Sequence, residues 1–139
     1  MILDDIARYL HELQLGTFDA TGVTGDIFIQ TLPASPDSCI GIYLRGGLAP
    51  RINSDFETVN VQVLIRGGQD PREPLERAQR IYGALHGIVN RALVTGGVRI
   101  VFLRAQQAGA IALGQDESRR HEFALNFEVY LRNDKRTVQ

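Results

Sequence analysis

Apolar residues recur along this chain at two spacings, and the switches between them mark out its elements. Leu3, Ile6, Leu10 and Leu13 fall at helical spacing, with Asp4, Asp5, Arg8 and Glu12 mostly opposite. They predict an amphipathic first helix, and Leu15-Gly16 offers its stop. Gly16 to Gly25 reads as a loop. Ile27-Phe28-Ile29 predicts a short strand, and the proline-containing run Leu32 to Asp37 a turn. Ile40, Ile42 and Leu44 alternate as a second strand, and Gly46 to Ser54 reads as a loop. The third strand has Val59, Val61, Val63 and Ile65 on one side and Thr58, Asn60, Gln62 and Arg66 on the other. That period of two is what a sheet with one buried face requires.

Gly67-Gly68 ends this strand, and Asp70-Pro71-Arg72-Glu73 opens a helix. It offers an N-cap carboxylate, a proline at the first helical position and a glutamate at the capping-box position. Leu75, Ala78, Tyr82, Leu85, Val89 and Ala92, widened by Ile81 and Ile88, predict that this helix runs through to about Leu93. After Gly96-Gly97, Val98, Ile100 and Phe102 alternate with Arg99 and Arg104. A weaker strand follows at Ala110 to Leu113, then a polar turn from Gly114 to Arg120. The last strand is strongly patterned. Phe123, Leu125, Phe127, Val129 and Leu131 take one face, Asn126, Glu128, Tyr130 and Arg132 the other. Asn133 to Gln139 reads as a frayed tail.

The order is therefore α-βββ-α-βββ. Short hairpin-like turns predict a mostly antiparallel β-sheet packed against two helices, an α+β fold. No βα alternation supports a dinucleotide-binding domain. With no internal linker or low-complexity segment, residues 1–139 read as one domain. The two αβββ halves share little sequence.

Composition adds bounds. A chain of 139 residues can bury about two-thirds of its unfolded surface, and 44% hydrophobic with 22% charged residues is ordinary for a globular, soluble protein. The net charge of −1 provides no field to attract nucleic acid. Lys135 is the one lysine among 15 basic residues. Arginine suits bidentate pairing at protein interfaces, and it is equally what an arginine-biased coding composition produces. A lone cysteine, Cys39, rules out an intrachain disulfide and reads as a small buried residue on a strand. The acidic start Met1 to Asp5 does not read as a secretory signal, and no stretch predicts a membrane span.

The search for chemistry finds no catalytic signature. His11, His86 and His121 lie in different elements, without HxxxH, HxH or CxxC spacing for a metal. Gly67-Gly68 precedes a helix, yet neither phosphate-loop pattern is present, so turn punctuation is the expected role. The carboxylates are scattered, and Gly-x-Ser-x-Gly is absent. No cofactor is expected. Arg119-Arg120 and Arg132 to Arg136 are basic clusters without interleaved aromatics, so sequence-specific nucleic-acid binding is not expected. What is left is surface. The turns Arg45 to Ser54 and Gly114 to Arg120 mix arginine, acid, glycine and single apolar residues, a mixture that suits protein contacts and ordinary hairpin turns alike. Arg45, Arg51, Asp116, Glu117, Arg119 and Arg120 are the candidate contact residues for a partner.

Three pieces of the chain resemble the tail terminator proteins of long-tailed bacteriophages, a family also labelled phage minor capsid protein. The first is the helix Ile2 to Leu13 with its loop and the strand Ile27 to Ile29. The second is the strand Val59 to Gly68 running into Pro71 to Leu93. The third and most specific is Leu113 to Val129. The resemblance implies an α/β domain that assembles as a ring, usually a homohexamer, at the neck end of the virion tail after assembly in the host cytoplasm. Its partners would be other copies of itself, the tail tube protein and a head-completion protein. The ring would cap the tube, stop its growth and present a head-joining surface, with a lumen through which DNA passes. The family brings no catalytic residues. Two other expectations compete: a head-completion or head-tail joining protein of the neck, and a small ligand-binding α+β domain with a pocket near His86 or Cys39.

Overall fold

The computed structural model describes residues 1–49 and 54–132. Along them run α1 (Ile2–Glu12), β1 (Ile27–Ile29), β2 (Cys39–Leu48), β3 (Phe56–Arg66), α2 (Arg72–Leu85), β4 (Ile88–Arg91), β5 (Ile100–Ala105), β6 (Ile111–Gln115) and β7 (His121–Arg132). The fold is α+β, ordered α-βββ-α-ββββ, one strand more than the apolar pattern predicts. Residues 133–139, expected to fray, lie outside the described residues.

The sheet has seven strands in the order β1-β2-β3-β7-β5-β4, with β6 also paired to β7. All pairs are antiparallel except β1 with β2. β3 and β7 form its spine, in unbroken register from Phe56↔Arg132 to Arg66↔Glu122. On its other side β7 meets β6 with its first part and β5 with its last. β5 and β6 together thus act as one interrupted strand.

Alternation decides which face is buried. Val61, Val63 and Ile65 of β3 are buried beside Phe123, Leu125, Phe127, Val129 and Leu131 of β7, and Val59 is half-buried at the margin. Both helices pack on this face. α1 contributes Leu3, Ile6, Ala7 and Leu10 to the core, and α2 contributes Ala78, Ile81 and Leu85. Each large aliphatic among them stabilises the fold by about 1.5–3 kcal/mol relative to exposure. Asp5 is buried in α1, and its carboxylate accepts a 2.7 Å bond from the Val98 amide, tying the helix to the segment before β5.

The start of α2 follows its sequence signals only to within one residue: the helix begins at Arg72 with Pro71 at the cap position, and no capping-box bond is formed. Asp70 Oδ1 accepts from the Arg72 amide at 3.0 Å, and Pro71 has helical dihedrals. Its end does not. The helix stops at Leu85, although the apolar stripe continues through Ile88, Val89 and Ala92. Gly87 adopts φ +89°, a conformation that favours glycine, and turns the chain onto β5. Its amide donates to the Leu103 carbonyl, and Ile88 and Val89 pair with Leu103 and Phe102. Their β-branched side chains suit a strand, and the β5 edge supplies partners that a further helical turn could not.

β5 also departs from simple alternation. A bulge between Ile100 and Phe102 sets two residues against one on β7. Ile100 and Leu103 therefore both enter the core, and Phe102 turns to the opposite face. β2 is longer than predicted, running through Gly46 and Gly47 to Leu48. A bulge between Leu44 and Gly47 allows this. Gly47 has φ +147°, and a Cβ there would sit 2.1 Å from the Thr58 carbonyl oxygen, so the hairpin requires glycine.

Candidate assembly surface

The face of the sheet away from the helices carries side chains of alternate strand positions. Its two ends differ. At the end where β3 finishes, the segment 33–38 folds across it and buries Cys39 and Arg66. The Arg66 guanidinium donates to the carbonyls of Pro33, Pro36 and Asp37. Arg120 holds the same segment from the β6–β7 turn, donating to the Ala34 carbonyl and pairing with Asp37 at 3.2 Å. Burial pushes the Cys39 thiol above its ordinary range.

The middle of the face is a polar ladder. Arg45 donates to Gln62, and Gln62 donates to Asn126 at 3.1 Å. Gln106 donates to Asn60, and Arg104 pairs with Glu128 at 2.9 Å. At the end where β3 begins, the Phe56 and Tyr130 rings stack at 5.7 Å, and Phe102 stacks on Tyr130 at 5.5 Å. Cross-strand aromatic pairs of this kind give about 0.5–1.5 kcal/mol beyond area burial. Exposed aliphatic side chains rim the sheet: Leu44 and Leu48 on β2, Val89 on β4, and Ile111 and Leu113 on β6.

The candidate contact residues divide into two places. Arg45 lies exposed on the outer part of β2, its guanidinium 4.5 Å from the Tyr43 ring centroid. Asp116, Glu117, Arg119 and Arg120 share the β6–β7 turn. There Asp116 is committed within the chain. It accepts from the amides of Arg120 and Ser118 and pairs with the Arg120 side chain at 2.8 Å. The Arg120 amide, foremost, and the Arg120 guanidinium hold its carboxyl below the ordinary carboxylate range. Glu117 and Arg119 are exposed. Arg51 lies outside the described residues. No local sequence motif marks Arg66, the aromatic trio or the exposed ends of β2 and β4. Tyr130 was visible on the polar side of β7, but its neighbours on β3 and β5 follow only from register.

An open cleft of about 840 Å³ lies between the end of α1 and α2, lined by residues including His11, Glu12, Asp26, Glu73, Glu76 and Arg80. At its base Arg77 pairs with Asp26 at 2.6 Å and donates to the Leu15 carbonyl. Neither His86 nor Cys39 lines it. His86 is exposed, stacks on Tyr82 and accepts the Ala105 amide at Nδ1. His11 likewise accepts the Phe18 amide. Among the described residues no cluster of three His, Cys, Asp or Glu could hold a metal ion, and no helix is long and apolar enough to cross a membrane.

The described part of the chain is thus an α+β unit whose sheet is polar in the middle of its outer face and carries exposed apolar residues at its rims. The family model for bacteriophage tail terminator proteins matches residues 9–133, nearly the whole chain, and the chain belongs to that family of phage structural proteins. No curated protein matches it. Among solved structures it is similar to a chain from the virion of a native gene transfer agent particle. The two share 14% identity over 94% of each chain, with a TM-score of 0.61. At that identity the likeness concerns the fold.

Proposed function

We propose that residues 1–139 form a single tail-terminator unit that assembles as a ring, six copies being the expected number, on the end of the tail tube. The ring stops tube growth and presents the surface to which the head is joined. The observation that carries this reading is the family match over residues 9–133. The geometry agrees with it. A ring needs two unlike faces of one subunit to meet, and the two sides of this sheet are unlike. The net charge of −1 lets copies associate without strong self-repulsion. The role is structural and non-enzymatic, at the neck end of the virion tail, with assembly in the host cytoplasm. The partners are further copies, the tail tube protein and a head-completion protein. Glu117 and Arg119 are the turn residues open to a partner, and Arg45 is the one on β2.

Light scattering on the purified chain, alone and with polymerising tail tube protein, tests this. A ring that binds tube ends and shortens the tubes is expected. A chain that stays monomeric and leaves tube length unchanged would falsify it. Binding to head-side components and not to tubes would move the assignment to head-tail joining.

A further inference from the structure

The strand registers define two cross-strand rows on the outer face. Near the end where β3 begins, the row runs Leu48–Thr58–Tyr130–Phe102–Val89 across β2, β3, β7, β5 and β4. Nearer the other end it runs Phe28–Gly41–Leu64–Ala124–Ile111 across β1, β2, β3, β7 and β6. The first row is five strands wide. The second is offset by one strand, and beyond its β1 end Phe18 bridges Ile27. Among the described residues β1 projects past β2 on one side of the sheet, leaving a notch beside Leu48, and β4 projects past the end of β6 on the other. A second copy set alongside in the same orientation places its β4 in that notch.

The row ends are apolar. Leu48 is 73% exposed, Val89 60% and Ile111 40%, and Phe28 is half-buried. One exposed aliphatic residue needs no explanation. Apolar ends on both sides of the first row are what a repeating edge contact requires. Strand direction allows it too: β4 would lie parallel to the neighbouring β2. Asn90, with φ 50°, interrupts β4, and the outward Ile27 amide already donates to Thr17. The contact is thus carried by the side chains at the row ends and not by a long backbone ladder.

We infer that copies of this chain join edge to edge, with Val89 of one copy against Leu48 of the next. This inference rests on the ring reading and names the surfaces that close the ring. The contact is heterologous, so it repeats around a ring.

Single-cysteine chains test it. Leu48→Cys and Val89→Cys are mixed and treated with oxidised glutathione. A disulfide-linked dimer is expected in the mixture and in neither variant alone, since Cys39 is buried. A chain carrying both substitutions should give linked species up to the full ring. Leu48→Asp, at an exposed position that leaves the fold intact, should weaken assembly about tenfold or more. Rings by light scattering with no linked dimer in the mixture overturn this contact and leave the ring standing. Linkage of Leu48→Cys chains to each other overturns it as well. A chain monomeric both alone and on tube ends removes the ring itself, and the contact with it.

Discussion

The two ends of the outer sheet face are built from different kinds of residue. Where β3 finishes, a loop covers the face, and two arginines hold it through carbonyl oxygens of residues 33–37. Where β3 begins, no such loop lies across the stacked rings of Phe56, Tyr130 and Phe102 among the described residues, and Leu48 and Val89 stand exposed beside them. Arginine is internal glue at one end. At the other, exposed apolar groups dominate, and the nearest arginine, Arg104 in the middle of the face, is paired with Glu128. An arginine-rich composition therefore does not by itself mark an interface: Arg66 and Arg120 serve the fold, and Arg45 and Arg119 are exposed.

The helix-covered face sets the scale for this contrast. Phe127→Ala, at a fully buried spine position, should cost about 3–5 kcal/mol in urea or thermal unfolding. A loss under about 1 kcal/mol would mean that the core is not built around β7. Next comes the covered end. Arg66→Met removes a buried donor set and should cost about 2–3 kcal/mol. It should also raise the rate at which a thiol reagent modifies Cys39. An unchanged modification rate would show that the loop stays closed without the arginine. At the open end Tyr130→Ala should cost only about 1 kcal/mol. Its larger effect should be on assembly, read by light scattering. Equal losses for Tyr130→Ala and Arg66→Met would erase the distinction between the two ends.

The smallest expected effect concerns pH. Hydrogen bonds from the Arg72 side chain, and then from its amide, lower the Asp70 carboxyl to about 2. A carboxyl depressed in the folded state contributes stability above its unfolded value, about 3.9, and loses it as pH falls toward 2. Asp70→Asn should therefore flatten the stability profile between about pH 4 and pH 2 and leave it parallel to the parent's above pH 5. An acid limb of unchanged slope would show that the cap contributes nothing to it.

Much of the fold is legible in the apolar pattern, and it is the part governed by local periodicity. The buried side of β3 and β7, the inward stripe of α1 and the start of α2 all follow from spacing and capping residues within a dozen positions. The end of α2 was misread because Ile88, Val89 and Ala92 keep helical spacing. Gly87 and the β5 edge override it. The side taken by Phe102 was misread because a bulge adds one residue that no alternation announces.

The candidate surface was less legible for the same reason. Sequence alone placed Asp116, Glu117, Arg119 and Arg120 in one turn. It could not tell that Asp116 and Arg120 are engaged with each other, nor that Arg120 also holds the 34–37 segment, more than eighty residues away. Sequence by itself determined that the chain is an α+β protein with a one-sided sheet and no catalytic motif, because faces follow from periods of 2 and 3.6 residues. Only the tertiary structure decided which strands are neighbours and where the rows end. It brought Leu48 and Val89 to opposite ends of one line, because register is an agreement between residues far apart in the chain.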